Sequence, residues 1–269
     1  MDTTQQPRQS REPQPLQQQL DRLAAIISAS RNTVFFGGAG VSTPSGIPDF
    51  RSASGLYKAR QKYGHSPEYL ISHTAFVNDP ELFFRYYKEN LIYTDAQPNP
   101  AHLALAELER TGPCKAIVTQ NVDGLHQAAG SRVVHELHGS VHRNHCMSCN
   151  AFYDLEYILN PAHCRNSAGR QTQIPFCENC GGVVKPDVVL YEEPLEHSTM
   201  RAAEAAVRAA DTLIVGGTSL VVYPAAGYVD IFSGSNLVFI NKGETDRDNR
   251  ADLVIHEDIA TVLGIFLRD

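Results

Sequence analysis

The chain has 269 residues and a formal net charge of -7 at pH 7. This acidic balance argues against a nucleic-acid-binding protein, which usually presents a basic face. No apolar run approaches the roughly 20 residues that span a bilayer, and the N-terminus has no apolar signal core, so we expect a cytoplasmic protein without a membrane partner. Residues 1–15 are polar and rich in proline and glutamine, which predicts a disordered tail.

The first predicted element in chain order is an amphipathic helix over residues 16–28. Short apolar runs then recur, most of them followed by glycine or small polar residues. These runs cover residues 33–36, 116–119, 212–215, 237–240 and 253–255. Continuous apolar runs are typical of strands buried on both faces of a parallel sheet, and helical stretches such as 101–110 and 200–210 lie between them. We therefore predict an α/β fold whose ligand site lies beyond the carboxyl ends of the strands.

A glycine-rich turn follows the first predicted strand. Gly38 and Gly40 can expose backbone N–H groups to a phosphate, and a helix N-terminus behind them would add a favourable dipole. The dinucleotide fingerprint G-x-G-x-x-G is incomplete, because Thr43 stands where the third glycine belongs and no acidic residue ends a second strand at the usual distance. The turn alone therefore leaves open a phosphate site or a turn without a ligand.

Two further segments carry residue types that are common in catalytic sites. The loop of residues 45–51 holds Asp49, Phe50 and Arg51, and it can either fold over a ligand or remain an ordinary surface loop. His138 ends a predicted strand and is a candidate base near neutral pH. Nearby histidines are alternatives for that role: His126, His135 and His142.

Four of the six cysteines form two C-x2-C pairs. Each pair can present two thiolates from one tight turn, and two pairs complete a tetrahedral zinc site. Because four thiolates leave no open position for water or substrate, we expect this zinc to be structural. Cys114 and Cys164 are expected to be plain thiols. The predicted zinc ligands are Cys146, Cys149, Cys177 and Cys180.

Several segments follow one another in a distinctive order. They are residues 38–42 (GAGVS), 45–51 (SGIPDFR) and 119–123 (TQNVD), the pair His138-Gly139, the two cysteine pairs, and residues 217–219 (GTS). Over about residues 20–268 this arrangement resembles the sirtuin family of NAD-dependent protein lysine deacylases. The joint match is very specific.

The resemblance implies a Rossmann-type parallel-sheet domain with a second, smaller zinc-binding lobe that is formed by insertions. The predicted NAD-binding domain comprises residues 16–53, 101–140 and 187–269. The helical part of the small lobe comprises residues 54–100, and the zinc-binding module comprises residues 141–186.

The resemblance also implies a role for each matching position. Asp123 receives the carboxamide of nicotinamide, and His138 is the catalytic base. The strand that pairs with the substrate backbone and lines the acyl-lysine tunnel contains Val188, Val189 and Tyr191. The implied NAD-binding residues are Gly38, Ala39, Gly40, Ser42, Asp49, Phe50, Arg51, Gln120, Asn121, Asp123, Gly217, Thr218, Ser219, Asn241 and Asp258.

The implied activity is NAD-dependent removal of acetyl or other acyl groups from protein lysine side chains. The nicotinamide–ribose bond loosens, the acyl oxygen attacks the sugar, and His138 takes a proton from a ribose hydroxyl. The products are nicotinamide, free lysine and O-acyl-ADP-ribose. NAD and one structural Zn2+ are the implied cofactors, and acyl-lysine proteins or peptides are the implied partners. The oligomeric state is left open.

Two features of this chain bear on the choice of substrate. Many sirtuins have Phe-Gly-Glu where this chain has Tyr191-Glu192-Glu193, so a substrate backbone could approach less closely there. Sirtuins that prefer succinyl or malonyl lysine share a Tyr-x-x-Arg motif, but the matching stretch, residues 86–90, contains no arginine. We therefore expect an uncharged acyl group such as acetyl to be the better substrate. The segment between the cysteine pairs, residues 150–176, has no assigned role.

Three other functions are compatible with parts of the sequence. A protein ADP-ribosyltransferase would use the same NAD pocket. A zinc-ribbon binding module would need neither NAD nor catalysis, and a hydride-transferring dehydrogenase fits less well because the dinucleotide fingerprint is incomplete.

Overall fold

The computed structural model describes residues 15–49, 59–220 and 225–267. Within these ranges, six strands form one parallel sheet in the order β3-β2-β1-β7-β8-β9. The order reverses at β1, as in Rossmann folds, and ligands bind beside such a reversal. The strands are β1 (Thr33–Gly37), β2 (Cys114–Thr119), β3 (Val134–Glu136), β7 (Thr212–Gly216), β8 (Asn236–Ile240) and β9 (Leu253–Ile255).

Helices cover both faces of this sheet and build part of the small lobe. The predicted helix over residues 200–210 begins three residues earlier, because the carboxylate of Glu196 accepts hydrogen bonds from the backbone N–H groups of Ser198 and Thr199. The predicted helices at 16–28 and 101–110 are confirmed to within one residue at each end. The helices are α1 (Leu16–Ala29), α2 (Pro67–Leu70), α3 (His73–Asn78), α4 (Pro80–Asn90), α5 (Pro100–Thr111), α6 (Leu125–Ala128), α7 (Leu155–Leu159), α8 (His197–Ala209) and α9 (Ile259–Gly264), and residues 59–63 are also helical.

Two expectations from the sequence concern the ends of the chain and membranes. The predicted tail, residues 1–15, lies outside the described residues apart from Pro15. In the described ranges, no helix has the length and apolar character that crossing a membrane requires.

Alternate residues of the sheet strands enter two different cores. In β1, Phe35 packs into the core on the face covered by α1, α5 and α9, whereas Val34 and Phe36 pack on the opposite face with α8. All three side chains are 0% exposed. Burying each of them contributes roughly 1.5–3 kcal/mol. Burial on both faces is the reason for the continuous apolar runs, and the predicted parallel α/β fold is confirmed.

The two insertions into the sheet domain share one core and form the smaller lobe. Its antiparallel sheet has the order β5-β4-β6, with β4 (Gly139–Cys146), β5 (Phe152–Tyr153) and β6 (Val184–Val188). Phe83, Phe84 and Tyr87 of α4 belong to the same apolar core as Cys146 and Val188. The ring of Phe83 stacks on Tyr87 at 5.8 Å and meets Phe84 edge-on at 5.1 Å. Helices and zinc-site strands are therefore packed as one unit.

Candidate active site

A cavity of about 930 Å³ opens at the carboxyl ends of the parallel strands and is lined by both lobes. Phe50 and Arg51 lie outside the described residues. Every other residue that the sequence predicts to bind NAD or substrate, or to act as base, lines this cavity. These residues are Gly38, Ala39, Gly40, Ser42, Asp49, Gln120, Asn121, Asp123, His138, Val188, Val189, Tyr191, Gly217, Thr218, Ser219, Asn241 and Asp258.

The glycine turn after β1 packs directly on the loop after β7. The backbone N–H of Gly40 donates to the carbonyl oxygen of Gly217 over 2.8 Å, and that of Gly38 donates to Gly216 over 3.3 Å. A Cβ on Gly40 would lie 2.7 Å from the Cα of Gly217. Gly217 has a φ of +60, and a Cβ there would lie 2.4 Å from the amide nitrogen of Val41. These glycines are therefore required by the close approach of two loops, which the G-x-G-x-x-G pattern does not describe.

Ser42 is the centre of a polar cluster in the cavity. Its hydroxyl donates a 2.7 Å hydrogen bond to Oδ2 of Asp123 and accepts one of 3.0 Å from the side-chain amide of Asn121. The other carboxylate oxygen of Asp123 accepts from the backbone N–H of Leu125 over 2.9 Å. The carboxylate is thus fixed in orientation from both oxygens. A carboxylate held in this way can accept N–H groups of an amide ligand.

His102 supports this cluster, although it is absent from the residues that the sequence predicts for the site. Its Nδ1 accepts from the backbone N–H of Asn99 over 3.3 Å, and its Nε2 lies 3.5 Å from the hydroxyl oxygen of Ser42. Because Nδ1 is an acceptor, the ring proton is on Nε2 and points toward Ser42. Burial lowers the pKa of His102 to about 4 against the opposing effect of the Asp123 carboxylate, so the ring is neutral at pH 7. The capping box that His102 forms with Asn99 at the start of α5 is a contact of the folded chain, and it gives no signal in the sequence of a role in the site.

His138 lies at the junction of β3 and β4. Its Nδ1 is 2.9 Å from the backbone oxygen of Gln120. A carbonyl oxygen only accepts, so Nδ1 carries the proton and Nε2 is the basic nitrogen of the neutral ring. The backbone oxygen of His138 accepts from the N–H of Val189 over 2.9 Å, which holds it beside the predicted substrate strand. The alternative histidines do not line the cavity: His126, His135 and His142.

The loops after β2, β7 and β8 are linked by hydrogen bonds at the other end of the cavity. The side-chain amide of Gln120 donates to the hydroxyl of Thr218 over 3.3 Å, and the backbone N–H of Thr218 donates to the side-chain oxygen of Asn241 over 3.0 Å. Asp258 caps α9 and forms an ion pair of 2.8 Å with Lys242. Burial opposes ionisation of Asp258, but these hydrogen bonds outweigh it and lower the pKa of the carboxyl group. This edge of the cavity is therefore ordered by contacts within the chain.

Residues 188–193 border the cavity on the side of the small lobe. The N–H of Tyr191 donates to the carbonyl oxygen of Ile71 over 3.1 Å, and its own carbonyl oxygen accepts from His73 over 3.0 Å. Glu192, at the glycine position of the sirtuin pattern, adopts the left-handed conformation that glycine favours, with a φ of 76. Its carboxylate accepts hydrogen bonds of 2.9 and 2.7 Å from the backbone N–H and hydroxyl of Thr74. Glu192 thus adopts the backbone conformation that the turn requires, and its side chain is hydrogen-bonded to α3.

Residues 86–90, which match the Tyr-x-x-Arg motif, place no cation in the cavity. Of these five residues, only Asn90 lines it. Glu89 is instead paired with Lys62 outside the cavity. Lys242 is the single lysine or arginine among the described residues that line the cavity, and its partner is Asp258. Apart from Lys242, the described lining of the cavity is therefore free of lysine and arginine.

The four predicted zinc ligands form one cluster in the small lobe. Their sulfur atoms lie within 4.8 Å of one another, with Cys146 and Cys180 at 3.4 Å and Cys149 and Cys177 at 3.6 Å. Tetrahedral zinc with Zn–S bonds of about 2.3 Å holds sulfur atoms roughly 3.8 Å apart, so the cluster fits this ion. None of these four cysteines lines the cavity, which agrees with a structural zinc. Cys114 and Cys164 lie outside the cluster, as predicted.

Comparisons with known sequences agree with this geometry. A model described as the Sir2 family matches residues 38–224. A protein of Clostridium perfringens named NAD-dependent protein deacetylase is 57% identical over 246 residues, which cover 91% of this chain and 97% of the relative. A protein of Clostridium acetobutylicum with the same name is 54% identical over 244 residues, covering 91% and 96%.

Solved structures give the same result for the fold. A structure from work on sirtuin substrate affinity has 38% identity and a TM-score of 0.81, covering 91% of this chain and 97% of that chain. A structure of Sir2 bound to an acetylated peptide has 36% identity and a TM-score of 0.79, covering 91% and 95%. A structure of Sir2 with a p53 peptide and NAD+ has 36% identity and a TM-score of 0.77, covering 91% and 95%. With a family match over most of its length and relatives above 50% identity, this chain belongs to the Sir2 family, the sirtuins.

Proposed function

We propose that this chain removes acetyl groups from protein lysine side chains, with NAD as co-substrate and His138 as the general base. The observation that carries the proposal is the arrangement of one cavity, in which the Nε2-basic ring of His138 and the fixed carboxylate of Asp123 lie among the strand-end residues. Relatives at 54% and 57% identity are NAD-dependent protein deacetylases by name, and this chain is an enzyme of that class.

The residues of the cavity fit NAD. Its volume of about 930 Å³ lies within the range of cofactor sites. Bound NAD supplies a ribose carbon that becomes electrophilic as nicotinamide departs. The carboxylate of Asp123, held by Ser42 and Leu125, would accept the carboxamide N–H groups, while Thr218 and Asn241, which are hydrogen-bonded to each other, would hold the adenosine half.

His138 moves the proton. Its Nε2 takes a proton from a ribose hydroxyl, so that this oxygen becomes a nucleophile. The ring is then an imidazolium, and the Nδ1–H donating to the carbonyl oxygen of Gln120 keeps its orientation and spreads its charge. A base positioned in this way contributes about 10²–10⁴-fold to the rate.

The small lobe presents the substrate. Val188, Val189 and Tyr191 line the part of the cavity where an acetylated peptide would bind, and apolar residues of the same lining exclude water from the reacting sugar, among them Ile47, Leu91 and Val122. The structural zinc takes no part in the reaction, since its four ligands stabilise the lobe away from the cavity.

The direct test is mass spectrometry of an acetyl-lysine peptide incubated with the full chain, with and without NAD. We expect loss of the acetyl group only with NAD, together with release of nicotinamide. The same peptide without the acetyl group is the control. Nicotinamide release with this control, and an added ADP-ribose mass on protein, would indicate ADP-ribosyl transfer instead.

A cytoplasmic location is a further proposal. It is supported by six cysteines of which none forms a disulfide, as expected in a reducing compartment. Cell fractionation with an antibody against the chain tests it.

A further inference from the structure

The segment between the cysteine pairs forms a stack of three aromatic rings. The ring centroids of Tyr153 and Tyr157 are 3.9 Å apart, and Tyr157 stacks on His163 at 3.7 Å with an angle of 15° between the planes. Tyr153 is only 7% exposed and shares an apolar core with Cys177 and Ile158. Tyr153 is therefore packed inside the small lobe, and the half-buried rings of Tyr157 and His163 continue the stack toward its surface.

The hydroxyl group of Tyr153 reaches one of the zinc ligands. Its oxygen lies 3.0 Å from the sulfur of Cys177. When the cluster holds zinc, Cys177 is a thiolate, which can only accept, so the tyrosine hydroxyl donates to it. A hydrogen bond to a charged acceptor is roughly twice as strong as one between neutral groups. Within the described part of the chain, Tyr153 is the one side chain other than cysteine that hydrogen-bonds to these four sulfurs.

Tyr157 holds the backbone on both sides of the same ligand. Its hydroxyl donates to the carbonyl oxygen of Phe176 over 2.8 Å and accepts from the N–H of Glu178 over 3.1 Å. The N–H of Phe176 donates in turn to the carbonyl oxygen of His163 over 2.9 Å. Cys177 is thus fixed through its sulfur by one tyrosine and through its neighbouring peptide groups by the next.

We propose that Tyr153 and Tyr157 form the outer hydrogen-bond shell of the zinc site, and that the segment of residues 150–176 serves to retain the metal. Tyr153 orients the Cys177 thiolate and stabilises its charge, while Tyr157 sets the position of its backbone. Groups that orient metal ligands in this way change metal affinity by roughly 10–100-fold. The proposal concerns the small lobe alone and does not depend on the reaction assigned to the cavity.

The test measures zinc release from the purified, zinc-loaded full chain to a chromophoric chelator. Tyr153→Phe removes only the hydroxyl, and we expect it to release zinc roughly tenfold faster than the wild type. Tyr157→Phe should also release zinc faster than the wild type. It still tests the proposal if Tyr153→Phe does not fold. Tyr228→Phe is the matched control, because it removes a hydroxyl that hydrogen-bonds to the backbone oxygen of Met200 in the sheet domain. We expect this variant to release zinc at the wild-type rate.

A spectroscopic measurement separates orientation of the thiolate from loss of stability. With cobalt in place of zinc, the sulfur-to-metal charge-transfer band should shift in Tyr153→Phe and stay unchanged in Tyr228→Phe. A wild-type rate of zinc release in Tyr153→Phe would overturn the proposal. Faster release without any shift of the band would also overturn it, since the tyrosine would then contribute packing alone.

Discussion

Nδ1 of His138 donates to the backbone oxygen of Gln120 over 2.9 Å, and this contact determines which nitrogen of the ring is basic. His138→Ala removes the proposed base while leaving the residues that hold NAD. We expect kcat on an acetylated peptide to fall by about 10²–10⁴-fold. The affinity for NAD, measured by calorimetry, should change by only a few-fold.

His142→Ala is the control for this variant. His142 also faces the 120–123 loop, where its Nε2 contacts the backbone oxygen of Asp123, but it does not line the cavity. We expect kcat to stay within a few-fold of the wild type. Equal losses of activity in the two variants would contradict the assignment of the base to His138.

Glu192 combines a left-handed backbone with a contact to α3. Its φ of 76 costs a residue other than glycine roughly 1–2 kcal/mol, while its carboxylate bonds to Thr74. Glu192→Ala keeps the strain and loses the hydrogen bonds, so we expect the free energy of unfolding to fall. Glu192→Gly loses the same bonds but relieves the strain, so it should be closer to the wild type. Urea unfolding measures the free energy of unfolding of both variants and of the wild type. An alanine variant that is more stable than the glycine variant would contradict the prediction.

The preference for uncharged acyl groups follows from the charges that line the cavity. Lys242 is the only lysine or arginine among its described lining residues, and it is paired with Asp258. A succinyl carboxylate would lose its water without gaining a cation. Because a charge-assisted pair contributes about 1.5–3 kcal/mol, we expect kcat/KM to be about tenfold or more lower for a succinyl than for a matched acetyl peptide. Equal rates would show that a cation outside the described residues reaches the acyl group.

Two buried histidines should make the free energy of unfolding depend on pH. The rings of His102 and His126 are 4.8 Å apart, and burial lowers the pKa of His126 to about 3 and that of His102 to about 4, from an ordinary value of 6.5. Between about pH 6.5 and pH 4 the unfolded chain binds protons that the folded chain does not, so the free energy of unfolding falls as the pH falls. Above this window neither ring is protonated in either state, and they add no pH dependence. Denaturant unfolding across this range measures the slope.

His126→Phe isolates one of the two rings. In the part of the chain that the structure describes, neither ring nitrogen of His126 has a hydrogen-bond partner, so phenylalanine leaves no partner unsatisfied, although its ring is larger than imidazole. We expect a flatter pH dependence of the free energy of unfolding below about pH 6.5, whatever the cost of the larger ring at about pH 7. A slope identical to that of the wild type would refute the role of this histidine.

The sequence by itself determined the features that local patterns encode. The apolar run of residues 33–36 predicts a buried parallel strand, because both faces of such a strand meet apolar neighbours. The two C-x2-C pairs predict the zinc ligands, because the spacing within each pair already lets two sulfurs reach one ion. The order of the motifs, through the resemblance to sirtuins, predicted residues that line the cavity, while the parallel strands predicted that a ligand site lies at the edge formed by their carboxyl ends.

Only the tertiary structure decided which of these groups touch and what state they adopt. Gly217 packs so closely on Gly40 that a Cβ would not fit there, His102 is neutral beside Ser42, and the hydroxyl of Tyr153 lies within hydrogen-bond distance of the Cys177 sulfur. The two residues of each pair lie far apart in the sequence or in different elements. Hydrophobic periodicity and short motifs therefore cannot predict these contacts. Their physical causes are close packing, which excludes a Cβ, and burial, which penalises charge and selects hydrogen-bond partners. Both arise only when the chain is folded.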